Sequence, residues 1–174
     1  MATIFDMRET IEVQSTGTPA IDAVFEPAVA NKIDVLSNRL VPGSDGSIEH
    51  VVLANDQVTI IRSTPFRGRV RVAKNDVFVG GVSCRILLAG LEARVDTVRH
   101  LVGGECPVYG AIFVSRKNTA VKHYRGMKIG SPDLVVESLI EGHRSAARFP
   151  RLKTLAKELD GIFLPFDKLG NFPT

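Results

Sequence analysis

Two groups of basic residues are the most evident chemistry-bearing feature of this sequence. They comprise Arg67, Arg69, Arg71 and Lys74, followed about fifty residues later by Arg116, Lys117, Lys122, His123, Arg125 and Lys128. Clustered cations neutralise nucleic-acid phosphates, and Tyr124 in the second group offers a ring on which a base can stack. The alternative interpretation is an ordinary solvent-facing run of charge. The formal net charge of +3 permits an anionic partner without requiring one.

The sequence lacks the common motifs of nucleophilic catalysis and of nucleotide hydrolysis. It contains no GxSxG segment and no GxxxxGK[ST] loop. Cys84 and Cys106 are too few for a disulfide framework or a zinc site, and Cys84 is expected to pack in the core. His50 follows Glu49 in a predicted strand, so the two side chains point to opposite faces, and His50 is expected to pack or to form a hydrogen bond. The remaining histidines show no metal-ligand spacing.

Composition places the chain among ordinary globular proteins. Hydrophobic residues make up 44% and charged residues 24% of its 174 residues, which suits one domain with a sizeable core. No apolar run approaches the roughly 20 residues that a membrane helix needs, so no membrane partner is expected. The first residues carry acids where a signal peptide would have a basic segment. These features predict a cytoplasmic protein.

The apolar and polar patterns predict alternating helices and strands that would position these side chains. Residues 48–53 and 58–61 read as two apolar strands joined by the turn residues Asn55 and Asp56, and they are expected at the centre of a sheet covered on both faces. Further elements are a helix from about 27 to 41, a hairpin at 68–79, a helix at 83–102, a strand at 107–114, and helices at 131–141 and 151–163. This order predicts one α/β domain with a mixed central sheet flanked by helices.

Several strings, taken in order, resemble the nuclease-related domain (NERD) family, whose fold is that of the PD-(D/E)xK, restriction-endonuclease-like enzymes. The strings are FEPAVANKIDVL (25–36), IEHVVLANDQVTIIRSTPFRGRV (48–70), PVYGAIFV (107–114) and LAKELDGIFLPF (155–166). The resemblance covers residues 20–166. It leaves 1–19 as an N-terminal arm and 167–174 as a C-terminal tail.

The resemblance also implies a set of site residues. Glu26 and Glu49 stand where the family has metal-binding acids, and Arg62 and Thr64 replace its acid-x-lysine pair. Because an arginine in place of a ligand carboxylate repels a divalent cation, the resemblance implies no cofactor or weakly bound Mg²⁺. Whether the chain is an enzyme is left open. The implied function is an impaired nuclease-like module that binds DNA or RNA through Arg67, Arg69, Arg71, Lys74, Lys122 and Arg125.

Two alternatives accompany this hypothesis. One is an active metal-dependent nuclease with a rebuilt site, in which Asp22, Asp56 or Arg67 supplies a missing group. The other is a subunit that binds a protein partner and has no nucleic-acid role. The salt dependence of any nucleic-acid binding would separate a phosphate-binding surface from a merely solvated one.

Overall fold

A computed structural model describes residues 19–40, 47–103, 106–145 and 151–165. The helices are α1 (Pro19–Ala30), α2 (Arg85–Leu101), α3 (Pro132–Ser145) and α4 (Arg151–Ile162). The strands are β1 (Asp34–Leu40), β2 (Ser47–Ala54), β3 (Gln57–Thr64), β4 (Val70–Val72), β5 (Val77–Val79), β6 (Val82–Ser83), β7 (Val108–Val114), β8 (Lys122–Tyr124), β9 (Met127–Gly130) and β10 (Leu164–Pro165). Within these residues, no helix combines the length and the apolar character needed to cross a membrane.

Within the described residues, the main sheet has seven strands in the order β10-β1-β2-β3-β7-β9-β8. Strands β2 and β3 form the predicted central hairpin, and β7 pairs in parallel with β3. Asn55 and Asp56 turn this hairpin with φ values of 56° and 57°. Asn and Asp tolerate this left-handed conformation better than most residues because their short polar side chains bond locally. The central position of the two apolar strands is therefore confirmed.

Helices cover both faces of the sheet, as the α/β prediction required. On one face α1 and α3 pack over a cluster that includes Phe25, Ile61 and Phe113. On the other face, residues of α2 and α4 pack over Ile60 and Ile112. In α2, for example, Leu88, Leu91, Val95 and Val98 form one buried apolar stripe, which is the arrangement expected of an amphipathic helix on a sheet.

Strands β4, β5 and β6 form a separate small antiparallel sheet. It depends on a close crossing of the chain at Gly68 and Gly80, where a Cβ on Gly68 would lie only 2.6 Å from the Cα of Gly80. The amide of Gly80 donates to the carbonyl oxygen of Arg69 at 3.1 Å. Strand β4 also contacts β8 at the edge of the main sheet. The small sheet is thereby fixed beside that edge.

The predicted helix at 27–41 is helical only as far as Ala30 and is wrong beyond that residue. Helix α1 begins at Pro19, contains Pro27 and ends at Ala30, and Asp34–Leu40 forms strand β1. Lys32 adopts a φ of 61° after α1, which a continuous helix does not permit. Pairing of β1 with β2 and β10 overrides the helical spacing of its apolar residues. Except for Pro19, the predicted arm lies outside the described residues, as do the tail and the loop at 42–46.

Candidate functional site

Three of the predicted site residues lie on the central hairpin. An Oε2 of Glu49 on β2 accepts a hydrogen bond from the amide of Ser63 on β3 at 2.8 Å. Thr64 is buried, and its Oγ1 accepts a hydrogen bond from the amide of Phe66 at 3.1 Å. The Glu49 carboxylate thus bonds to the backbone between Arg62 and Thr64. Glu49 thus joins β2 to β3 at the end of the hairpin away from the turn, and Thr64 fixes the segment that follows β3.

Arg62 extends to helix α2 and lies beside a second arginine. A Cβ placed on Gly90 would lie 3.3 Å from a terminal nitrogen of Arg62 and 3.3 Å from one of Arg94. The same nitrogen of Arg94 donates to the carbonyl oxygen of Gly90 at 2.9 Å. Two guanidinium groups at this point repel a divalent cation. The surroundings of Arg62 therefore do not favour metal binding.

Glu26 is not brought to the other three residues. It is exposed on α1, which packs on the sheet face opposite α2. The ion pairs between described residues join Arg39 to Asp160, Arg99 to Asp96 and Arg125 to Glu92, and none involves Arg62. In the part of the chain that the structure describes, no group of three or more His, Cys, Asp or Glu side chains could hold a metal ion. The metal-ligand roles of Glu26 and Glu49 stay predictions.

His50 and Cys84 are buried, as expected from the sequence. The buried His50 ring lies 4.8 Å from the Phe25 ring, and its Nδ1 lies 3.0 Å from the hydroxyl of Ser37. Cys84 is buried just before α2, where desolvation, and then the charge of Asp76, raise the pKa of its thiol. Desolvation, followed by the charge of Asp56, also raises the pKa of Cys106. Thiols held protonated at neutral pH are poor nucleophiles.

The small sheet exposes one group of cations. Arg67, Arg69, Arg71 and Lys74 are all exposed in or beside β4. The guanidinium carbon of Arg71 lies 4.6 Å from the centre of the Phe78 ring, which holds this side chain over β5. Asp76, the acid nearest to Lys74 in sequence, is buried and accepts hydrogen bonds from the amide of Val77 and the hydroxyl of Ser83. The Asp76 carboxylate is therefore directed into the hairpin and accepts hydrogen bonds there.

Strand β8 exposes the second group of cations beside the first. Lys122, His123 and Arg125 are exposed, and Arg125 adopts a φ of 48° in the turn between β8 and β9. Because β4 contacts β8, cations of both groups lie on or beside neighbouring strands at one edge of the main sheet. We call the basic surface the set Arg67, Arg69, Arg71, Lys74, Lys122 and Arg125. Lys128 does not belong to it, because it is partly buried and its Nζ donates to the Ser138 hydroxyl at 3.0 Å.

Comparison with known proteins identifies relatives of a kind that the sequence motifs did not suggest. A protein of Methanococcus maripaludis strain C6 is 26% identical over 171 residues, which cover 86% of this chain and 44% of the relative. Proteins of strains C5 and C7 are 27% and 26% identical over 130 residues, covering 70% of this chain and 34% of each relative. These relatives are named glutamyl-tRNA reductase. No family model matches the chain, and no solved structure matches it significantly.

These relatives overturn the nuclease interpretation. The suspected NERD membership is wrong, since the relatives carry a different name and no family model supports it. The impaired nuclease, the rebuilt nuclease and the general interaction subunit are set aside with it. The chain spans less than half the length of the relatives that it matches. The α/β fold does not depend on that resemblance and stands on the structure.

Sequence reasoning missed one exposed aromatic residue beside the basic surface. Tyr109 lies in the apolar run PVYGAIFV, which predicts a buried strand, yet 41% of its surface is exposed. The signal in the sequence was its place near the start of the strand, where alternation with the buried Val108 turns it outward. Tyr109 lines a groove together with Arg125 and Gly126 of the turn between β8 and β9.

Proposed function

We propose that this chain binds glutamyl-tRNA, as a domain related to part of a glutamyl-tRNA reductase, and that the basic surface contacts the phosphates of the tRNA. The observation that carries the proposal is the meeting of β4 and β8, which joins two exposed cation groups from distant parts of the sequence. The relatives are named for glutamyl-tRNA, which is why we choose this RNA as the ligand. The chain spans 44% of the strain C6 relative, so the proposal concerns binding of the substrate and not its reduction.

Arginine and lysine on exposed strands and turns suit backbone phosphates, because each neutralised phosphate releases condensed counterions. Arginine also offers a planar fork of donors that matches phosphate oxygens. The Arg71 guanidinium is placed over Phe78, and that of Arg125 lies 5.3 Å from the centre of the Tyr124 ring. Both side chains are thus partly ordered before RNA binds, which lowers the entropy lost on binding.

The test is a salt titration of tRNA binding with matched charge variants. Arg69→Ala and Lys122→Ala remove one cation from each half of the basic surface. Lys157→Ala removes a cation that is also exposed, but lies on α4, which packs near the opposite edge of the sheet. Binding of glutamyl-tRNA is measured by fluorescence anisotropy across a range of salt concentrations, with circular dichroism to check folding.

If the basic surface neutralises phosphates, the logarithm of the binding constant should fall linearly with the logarithm of the salt concentration. Arg69→Ala and Lys122→Ala should each weaken binding and reduce the salt slope by about 1, whereas Lys157→Ala should change neither. Equal effects of all three variants would indicate non-specific attraction to a basic protein and would refute the assigned surface. Absence of tRNA binding at low salt would refute the proposed function itself.

A further inference from the structure

A groove of about 310 Å³ lies between α2 and the start of β7, next to the basic surface. Its size is at the lower end of the range typical of small-molecule sites. The groups that decide its chemistry are Tyr109, Arg99, Arg125, Glu92, Asp96 and Met127. Of the residues in the basic surface, only Arg125 also lines this groove.

Tyr109 gives the groove an aromatic wall that is open to solvent. Its side chain is 41% exposed, and every other Phe or Tyr in the described part of the chain is buried or half-buried. Gly126 lies beside it, and a Cβ on Gly126 would approach the ring Cδ1 to 3.9 Å. Because glycine has no side chain there, the space beside the ring stays unfilled. An exposed ring with free space alongside is suited to stacking by a planar ligand.

The groove is lined by two basic and two acidic side chains, so their formal charges balance. Arg125 lies 3.7 Å from the Oε1 of Glu92 across the groove, and Arg99 pairs with Asp96. Arg99 also donates to the carbonyl oxygen of Val108 at 3.2 Å, which ties it to the start of β7. Two cations and two carboxylates make a poor site for a bare phosphate. They suit a ligand that has both an anionic group and N–H donors, because carboxylates accept hydrogen bonds from such donors.

We propose that this groove binds one unpaired nucleotide of the RNA, with the base stacked on Tyr109, its amino edge facing Glu92 or Asp96, and its phosphate near Arg125. This inference rests on the proposed function and adds a subsite to it. Arg125 belongs to both the basic surface and the groove, so RNA bound along the basic surface at β8 would lie next to the groove. Proteins commonly recognise RNA by stacking splayed bases on aromatic side chains.

The carboxylates predict a preference among bases of equal size. Cytosine carries an exocyclic amino group that donates a hydrogen bond to a carboxylate. Uracil has a carbonyl oxygen at the same position, and this acceptor cannot form a hydrogen bond with an ionised carboxylate. A short oligocytidine should therefore bind more tightly than an oligouridine of the same length. The phosphates are the same in both, so the difference reports the groove and not the basic surface.

The test compares Tyr109→Ala with Tyr109→Phe. Dye-labelled oligocytidine, oligouridine and a blunt RNA duplex are titrated into each variant and the wild type. Tyr109→Ala should weaken oligocytidine binding by about fivefold or more, the loss expected for one stacked base. Tyr109→Phe keeps the ring and should retain most of the affinity. Duplex binding should be unchanged in both variants, which also shows that they remain folded.

The outcomes separate this inference from the proposed function. If the wild type binds the duplex but Tyr109→Ala leaves oligocytidine binding unchanged, the groove is not a nucleotide site and the proposed function stands. Equal binding of oligocytidine and oligouridine by the wild type would likewise overturn the assignment of the carboxylates to the base edge. If no RNA binds at low salt, both the proposed function and the subsite are wrong.

Discussion

The crossing of Gly68 and Gly80 makes a quantitative prediction about how the basic surface is held in place. Gly80 has a φ of +61°, and a Cβ at this position would lie 2.1 Å from the carbonyl oxygen of Arg67. Gly81, its neighbour, has a φ of +87°, and a Cβ there would meet nothing within 4 Å. Alanine at either position must adopt a left-handed backbone conformation, which costs about 1–2 kcal/mol of stability. Only Gly80→Ala also collides with backbone.

The collision sets the expected difference between the two variants. The atom that a methyl group at Gly80 would strike belongs to the backbone and cannot rotate away, so β4 or the loop before it must shift. Overpacking of this kind costs about 1–3 kcal/mol. Gly80→Ala should therefore lower the free energy of unfolding of the small sheet by about 2–5 kcal/mol, and Gly81→Ala by about 1–2 kcal/mol.

The assay is hydrogen exchange of the amides that join the small sheet, with urea unfolding for the whole chain. The amides of Gly80 and Cys84 donate to Arg69 and Val77 within this region and report its opening. Gly80→Ala should accelerate their exchange far more than Gly81→Ala. It should also weaken tRNA binding, because Arg69 and Arg71 lose their fixed position. Equal effects of the two substitutions would refute the tight crossing on which this reasoning depends.

Further predictions concern polar groups that are buried or partly buried. Asp76→Ala should lower the free energy of unfolding by about 2–3 kcal/mol, as expected for lost hydrogen bonds to a charged group, because Val77 and Ser83 lose their acceptor. Urea unfolding measures this change. A loss below about 0.5 kcal/mol would show that these hydrogen bonds do not stabilise the fold. Cys84 should react with a thiol reagent more slowly than the less buried Cys106 in the folded protein, and equally fast in urea; equal folded-state rates would contradict its burial. Both raised thiol pKa values mean that the folded state binds these protons more tightly, so this contribution to stability is full below about pH 9.0 and is lost as the pH rises through the folded values. Burial, only partly offset by Glu141, lowers the pKa of Lys128 from its usual 10.5. Since the unfolded state then binds that proton more tightly, the wild type should gain stability relative to Lys128→Met as the pH rises toward 10.5. A stability difference between the two proteins that does not change with pH would refute this prediction.

The sequence was sufficient for the elements whose pattern and packing agree. The apolar runs of β2 and β3 are buried on both faces, and Asn55-Asp56 is a turn in almost any context. Strand β1 failed because its apolar residues happen to recur at helical spacing. Its state is set by pairing with β2 and β10, which no local window contains.

The candidate site was only half accessible from the sequence. Each cation group was visible as a run of letters, but their meeting depends on the contact between β4 and β8. Tyr109 was hidden within an apolar strand pattern. The nuclease resemblance misled because its matching letters are mainly those that any buried hairpin and amphipathic helix require. Apolar positions in the right order report packing, and the residues that carry chemistry were the ones that differed.

The most direct test of the central claim is a titration of the wild-type chain with glutamyl-tRNA at low salt, beside the double variant Arg69→Glu/Lys122→Glu. The two substitutions reverse one charge in each half of the basic surface, on exposed side chains that the fold does not need. The account predicts saturable binding by the wild type and loss of most of that binding in the double variant, with unchanged circular dichroism. Binding by the folded double variant at wild-type strength would contradict it.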